Sequence, residues 1–308
     1  MSVVAAPSPP TALNWIAIVA LGAIWGASFM SVHVALQDMG PFQVVSGRVV
    51  LAASVLVALT YLLGQRLPSL VTPQGRRLWL YALGTGLLSN ALPFALISWS
   101  QLHITSGFAG VSMALVPLFT LVLAHFMLPG ERLTPMRALG FALGLTGVMA
   151  LIGTDSLRPE GGSMEFIARA VCILSTLSYA LGSIITRRCP QVDAVAFAAS
   201  SLTCAALIIV PVMLVTDGLP TQIPQVTSLL AILYLGLLPT GAAMVVVVYV
   251  VRSAGPTFLT QTNYHVPVWS VIFGTMILAE PLPAHFIVAL ELILSGLAVS
   301  RMRWRRLR

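Results

Sequence analysis

Apolar residues fill almost the whole chain in ten long stretches, and short polar segments separate them. Each stretch holds about 20 predominantly apolar residues, which is the length that an α-helix needs to cross the hydrocarbon core of a bilayer. The pattern therefore predicts ten membrane helices, over residues 14–36, 41–63, 77–99, 105–127, 135–153, 166–187, 194–215, 227–251, 256–278 and 283–300.

The composition supports a membrane protein. Of the 308 residues, 58% are hydrophobic and only 8% are charged, whereas a soluble domain has about 25% charged residues. No soluble fold can bury that much apolar surface, so the lipid bilayer must be the main partner of the chain. The net charge of +7 comes from arginines in short loops and near the C-terminus, which argues against nucleic acid as a partner.

The arginines also predict an orientation, because basic residues concentrate in cytoplasmic loops. If the N-terminus is cytoplasmic, only Arg158 and Arg169 lie outside, and Arg48 lies within a span. Residues 1–13 carry no basic side chain, so the first apolar run is predicted to be a retained helix rather than a signal peptide. We expect a multi-pass protein of a bacterial-type inner membrane with both termini in the cytoplasm, ending in a basic tail at 301–308.

The two halves of the chain repeat one another. The sequence GLLSN at 86–90 matches GLLPT at 236–240, and the same offset pairs Pro117 with Pro267. Each half holds five predicted spans, an odd number, so the second half must enter the membrane in the opposite orientation. Inverted repeats of this kind are typical of secondary transporters. The fold class predicted is all-α integral membrane, with inverted five-helix repeats at 14–153 and 166–300.

Several motifs follow one another in a specific order, and the proline-containing and glutamate-containing motifs of the first half recur in the second. They are W-G-x-S-F at 25–29, an arginine at 48, L-V-P-L-F-T at 115–120 with G-E-R-L-T at 130–134, and V-P-V-W at 266–269 with A-E-P-L at 279–282. In order and spacing the chain resembles the EamA family of the drug/metabolite transporter superfamily, over about residues 14–300. The resemblance implies ten helices around a central cavity, alternating access, and often export of amino acids and other small metabolites.

The third predicted helix carries Asn90, Phe94 and Ser98 on one face. Polar groups that face lipid are costly, so we expect this face to line a cavity or to contact another helix. The ninth helix holds a denser polar group, in which Gln261, His265 and Trp269 share a face. Its other candidates for contact with a substrate are Asn263 and Tyr264. His265 is either a substrate contact, a proton carrier or a packing residue.

Aromatic residues occur at matching places in the repeats. Trp25 pairs with Tyr179, and both lie deep enough to line a cavity for an apolar, aromatic or cationic ligand. Trp99 lies near a helix end, where an interfacial position is an equal alternative. The paired prolines Pro117 and Pro267 are predicted hinges, because an interior proline removes a backbone hydrogen bond and kinks a helix; a harmless kink is the alternative.

Two charges are predicted deep in the membrane. Arg48 in the second helix and Glu291 in the tenth lie at similar depths, so an ion pair between them is the leading hypothesis. Two alternatives stay open: Glu291 as a protonation site for coupling, and Arg48 as the partner of an anionic substrate group. Glu131 and Glu280 lie at helix ends, where a carboxylate can cap the next helix.

These features predict a secondary active transporter, an exporter of small molecules such as amino acids or amphipathic compounds, with a proton as a candidate coupling ion. We find no HExxH, GxSxG, Walker A or metal-binding pattern, so no enzyme, cofactor or metal is predicted. An intramembrane enzyme, a channel, or an organic-anion or phosphate carrier of the same superfamily are the alternatives. The substrate and the oligomeric state stay open.

Overall fold

A computed structural model describes residues 10–129, 131, 133–152, 163–282 and 284–301. All regular structure in these residues is helical. Residues 302–308 of the predicted basic tail lie outside the described residues.

The described residues form ten helices, as predicted, and the ends of these helices agree with the predicted ends to within a few residues. We number them in chain order: α1 Ala12–Ala35, α2 Pro41–Leu62, α3 Pro73–Ser100, α4 Ser106–Met127, α5 Pro135–Ile152, α6 Ser163–Arg188, α7 Ala194–Thr216, α8 Val226–Leu235 continuing through Gly236–Ala242 and Ala243–Ala254, α9 Pro256–Leu259 with Thr262–Ile277, and α10 Ala284–Arg301. Seven of them are long and apolar enough to cross a membrane, and α5 and α10 are shorter apolar helices.

Local sequence explains where the helices begin. The hydroxyl of Thr72 accepts a hydrogen bond from Gly75 N at 3.1 Å, and that of Thr105 accepts one from Phe108 N at 3.2 Å. Thr11 forms a capping box with Asn14 at the start of α1. These side chains satisfy amide groups that the first turn of a helix leaves without a partner.

The two halves pack against each other reciprocally. The first helix of each half packs on the third and the fourth helix of the other half, and the second helix of each half packs on the third of the other. The two second helices, α2 and α7, also pack together, as do the two fifth helices, α5 and α10. This pattern is that of an internal two-fold relation, and it places the contact between the repeats at the centre of the protein.

Small residues allow the closest approaches between repeats. Where α5 crosses α10, a Cβ atom on Gly296 would lie 2.6 Å from the amide nitrogen of Gly144, and one on Gly140 would lie 2.6 Å from the amide nitrogen of Ser300. Both helices therefore bring backbone against backbone, which is how small residues stabilise helix pairs in lipid.

We expect Gly140→Leu to destabilise the protein by about 1–3 kcal/mol, because the new side chain meets backbone atoms of α10. The matched control is Ala142→Leu, whose position on α5 is exposed. Thermal unfolding in detergent measures both. Equal shifts in the unfolding midpoint would contradict the proposed crossing.

Candidate functional site

Two π-helical segments interrupt the repeats at equivalent positions. They are Leu87–Ala91 in α3 and Gly236–Ala242 in α8; the first overlaps the GLLSN sequence at 86–90, and the second contains GLLPT at 236–240. In each, a side chain bonds the carbonyl five residues earlier: Thr240 Oγ1 donates to Leu235 O at 2.8 Å, and Asn90 Nδ2 to Thr85 O at 3.5 Å. Such π segments are rare and are frequent at functional sites.

Each π segment is held by the first helix of the other repeat. Trp25 Nε1 in α1 donates to Pro239 O at 3.0 Å, and Ser178 Oγ in α6 donates to Leu88 O at 2.9 Å. Both acceptors are main-chain carbonyls of a π segment. The first helices thus join the repeats through backbone groups at the irregular part of α3 and α8.

Arg48 in α2 lies buried beside these segments, with 9% of its surface exposed. Its Nε donates to Thr240 Oγ1 at 2.9 Å, and its guanidinium carbon lies 3.7 Å from the centre of the Phe94 ring. Phe94 in turn contacts Tyr179, with ring centres 6.3 Å apart. We call Arg48, Phe94, Tyr179 and Thr240 the arginine cluster. Sequence reasoning missed Thr240, although its place in the repeated GLLPT motif marks it as the counterpart of Asn90.

The predicted ion pair between Arg48 and Glu291 is wrong. Both residues are described, and no ion pair joins them; Glu291 is exposed on α10, while Ala289, Ile293 and Leu297 of that helix are buried. Equal depth did not imply contact, because α2 packs on α7 and α10 packs on α5. Arg48 is left with a neutral hydrogen-bond partner, although a charge at mid-bilayer costs about 2.5–3.5 kcal/mol on insertion scales.

The polar face predicted on α9 is in large part a packing face. His265 and Trp269 lie against Gly22 and Gly26 of α1, and a Cβ atom on Gly26 would lie 2.6 Å from Cβ of Trp269. Trp269 also stacks on Phe273, with ring centres 5.4 Å apart. The GxxxG sequence of α1 therefore accounts for this face of α9. Half-buried positions remain at the start of its second segment, at Gln261, Asn263 and Tyr264.

On the third helix, the predicted face is divided between packing and the arginine cluster. Ser98 is buried, with 2% of its surface exposed, and Trp99 contacts His103 with ring centres 5.5 Å apart. Trp25, Trp99 and Tyr179 all pack against the same apolar core. The central cavity that the resemblance implied stays a prediction, and two cavities of the described chain lie away from the arginine cluster. One of about 510 Å³ lies by Asp38 and Asp217, and one of about 420 Å³ by Val245 and Tyr249.

Breaks in α4 and α9 lie ahead of the two prolines. A 3₁₀ turn at Met113–Leu115 precedes Pro117, because a proline ring clashes with the carbonyl four residues earlier. In α9 the helix stops between Leu259 and Thr262, and Pro267 lies inside the continuous second segment. The break in α9 is therefore farther from its proline than the break in α4, and the hinge role of both prolines stays a prediction.

Two carboxylates tie the repeats together at helix ends. Glu280 accepts hydrogen bonds from Ser106 N at 2.7 Å and Gly107 N at 3.0 Å, so it caps α4 of the other repeat and not the next helix as predicted. Glu131 forms ion pairs with Arg187 at 2.9 Å and Arg137 at 3.2 Å. The hydrogen bond from Arg187 lowers the pKa of the Glu131 carboxyl.

Ten helices in two reciprocal repeats, joined through irregular backbone around a buried arginine, define an integral membrane protein of transporter type. A model of the EamA-like transporter family matches residues 13–153 and 167–302. The chain belongs to this family, and each half carries one copy of its five-helix unit.

Individual proteins are similar over most of the chain. The uncharacterized inner membrane transporter YedA of Escherichia coli (strain K12) is 28% identical over 86% of this chain and 83% of its own length. The probable terminal-alkyne amino-acid exporter of Streptantibioticus cattleyicolor is 24% identical over 91% of this chain and 90% of its own. A solved crystal structure with 21% identity covers 94% of this chain and 97% of that chain, with a TM-score of 0.66, and shows the fold.

We expect Thr240→Val to destabilise the protein by about 1.5–3 kcal/mol, because it removes the hydrogen-bond partner of a charged group. Thr240→Ser keeps the hydroxyl and is the matched control. Thermal unfolding of the two purified variants tests this. If both variants unfolded at the same temperature as the unmodified protein, the hydrogen bond between Thr240 and Arg48 would contribute nothing to stability.

The lowered pKa of Glu131 predicts a pH-dependent contribution to stability. The folded pKa lies below the ordinary value of 4.5, so the ionised carboxylate stabilises the fold above that pH. The contribution is lost as pH falls through the lowered value. Because the pair is partly exposed, we expect Glu131→Gln to cost about 0.2–1 kcal/mol at pH 7.

The difference between Glu131→Gln and the unmodified protein should vanish in unfolding scans below the folded pKa. Glu165→Gln is the control, because Glu165 pairs with Arg169 within a single helix. A difference for Glu131→Gln that persisted in strong acid would show that the amide disturbs packing rather than charge.

Proposed function

We propose that this protein is a secondary active transporter that exports small metabolites, such as amino acids or amphipathic compounds, by alternating access. It lies in the inner membrane with both termini in the cytoplasm. The main supporting observation is a pair of hydrogen bonds between the repeats. The first helix of each repeat donates one, from Trp25 or from Ser178, to a main-chain carbonyl in the π segment of the other repeat. Two such contacts, each between a first helix and the π segment of the other repeat, suit a protein whose halves exchange roles between two states.

The substrate site that we propose is the arginine cluster, with Trp25 and Asn90 beside it. Its residues come from α1, α2, α3, α6 and α8, so both repeats contribute to it. A movement of one repeat against the other would change its shape. Gln261, Asn263 and Tyr264 at the break in α9 are a second lining that we propose, since an interrupted helix in a transporter often borders the binding site.

Buried packing around Arg48 favours a carrier over a permanently open channel. The arginine is 9% exposed, and Thr240 and the ring of Phe94 pack directly against it. A relative named as a probable amino-acid exporter supports the same class of substrate. An organic-anion carrier is the second candidate, and the buried cation is the observation that favours it.

Flux through purified protein in proteoliposomes tests the proposal, with a panel of labelled amino acids and amphipathic compounds and with or without a pH gradient. We expect saturable flux that unlabelled substrate competes away. Trp25→Phe should lower turnover about tenfold or more, because it removes the bond to the other repeat, whereas Trp15→Phe, at an exposed position, should not. Glu291→Gln should retain gradient dependence, since Glu291 faces away from the cluster.

Flux that rises linearly with concentration would contradict a carrier and favour a channel. Equal turnover in the Trp25→Phe and Trp15→Phe variants would be compatible with transport. It would contradict a role in turnover for the hydrogen bond from Trp25 to the π segment. Loss of gradient dependence in Glu291→Gln would return Glu291 to the role of coupling residue.

A further inference from the structure

We propose that Arg48 binds the carboxylate of the transported substrate, so that the substrate class is a monocarboxylate with an apolar or aromatic body. This inference rests on the proposed function and names the group that the arginine cluster recognises.

Arg48 has no counter-ion among the described residues. Most of the other described acids are engaged elsewhere: Asp38, Asp193, Asp217 and Glu280 accept bonds from backbone amides, and Glu131 and Glu165 pair with other arginines. The last described acid, Glu291, is exposed on α10. A buried charge that the protein does not neutralise is a candidate site for an ion of opposite charge, because burial strengthens attraction to it.

The guanidinium offers the donors that a carboxylate needs. Its Nε–H is used by Thr240, and the two terminal nitrogens make no hydrogen bond to any described residue. Neither of them is among the fully buried side-chain atoms without a hydrogen-bond partner in the described chain. A planar guanidinium fixed at Nε presents parallel N–H groups, and these match the two oxygens of a carboxylate.

The surroundings select what is attached to the carboxylate. Phe94 covers one face of the guanidinium at 3.7 Å, and Tyr179 lies next to Phe94. These neighbours are aromatic and uncharged, so they favour an apolar body with few polar groups. A single buried cation neutralises a monoanion, whereas it leaves one charge of a phosphate dianion uncompensated, which is costly in a buried site.

Matched acids and amides test the proposal on the purified full-length protein in detergent. The probes are 3-phenylpropionate with 3-phenylpropionamide, L-phenylalanine with L-phenylalaninamide, and L-leucine with L-leucinamide. Stabilisation against thermal unfolding at increasing probe concentration gives an apparent affinity. We expect at least one acid to bind about tenfold or more tightly than its amide, because the amide lacks the charge and one acceptor.

Variants then assign the selectivity to Arg48. In Arg48→Gln the preference for the acid over the amide should fall to about twofold or less. Arg48→Lys keeps the charge but loses the paired N–H groups of the guanidinium, so its preference should lie between those of Arg48→Gln and the unmodified protein. Gln65→Ala, at a site distant in sequence and bonded to Asp193, should keep the full preference. If Arg48→Gln does not fold, the acid–amide comparison in the unmodified protein and Arg48→Lys still decide.

Several results would overturn the proposal: amides that stabilise as well as their acids, acid selectivity that survives in Arg48→Gln, or no stabilisation by any acid. Phenyl phosphate that bound more tightly than 3-phenylpropionate would replace the carboxylate by a phosphate. The binding assay separates this inference from the proposed function. Acid-selective binding without flux would support the carboxylate site and contradict the proposed export. Equal flux of acids and amides would support export and contradict the carboxylate site.

Discussion

The whole structure depends on one constraint: in lipid, each backbone N–H and C=O must find its hydrogen-bond partner inside the protein. Regular helices meet it with bonds between residues four apart, and the π segments in α3 and α8 and the 3₁₀ turn in α4 meet it with a different spacing. Carbonyls at the π segments are bound by Trp25 and Ser178 from the opposite repeat. Irregular backbone is therefore found where the repeats meet, and that place is also where a binding site is needed.

The same constraint governs the few charges. The described carboxylates are used mainly at helix ends, where Asp217 caps α2, Asp193 caps α7 and Glu280 caps α4. Asp217 and Glu280 each cap a helix of the other repeat, and so add to the contacts between the repeats. Arg48 differs from these carboxylates, because it lies in a span, its hydrogen-bond partner is neutral, and the aromatic ring of Phe94 covers one face of its guanidinium. That contrast makes it the leading candidate for substrate recognition.

Packing between helices in lipid has little hydrophobic driving force and relies on close fit. Gly22 and Gly26 on α1 admit α9, and Gly140 and Gly144 on α5 admit α10. A polar face can therefore be occupied by a neighbouring helix instead of a ligand, as happens for His265 and Trp269. Family membership and the exporter among the relatives agree with a transporter. The chemistry proposed for the site follows from the polar and aromatic residues that are not used in helix packing.

The sequence by itself determined the ten helices, most of their ends, the repeat and the family, because a membrane helix satisfies its own backbone and its apolar length is local information. It also singled out Arg48, Phe94 and Tyr179 as unusual. Only the tertiary structure decided that Arg48 contacts Thr240 and Phe94 and not Glu291, that Glu280 caps α4, and that α9 turns His265 toward α1. The reason is physical: depth in the membrane follows from position along a helix, whereas contact depends on how each helix is rotated and which helix lies beside it.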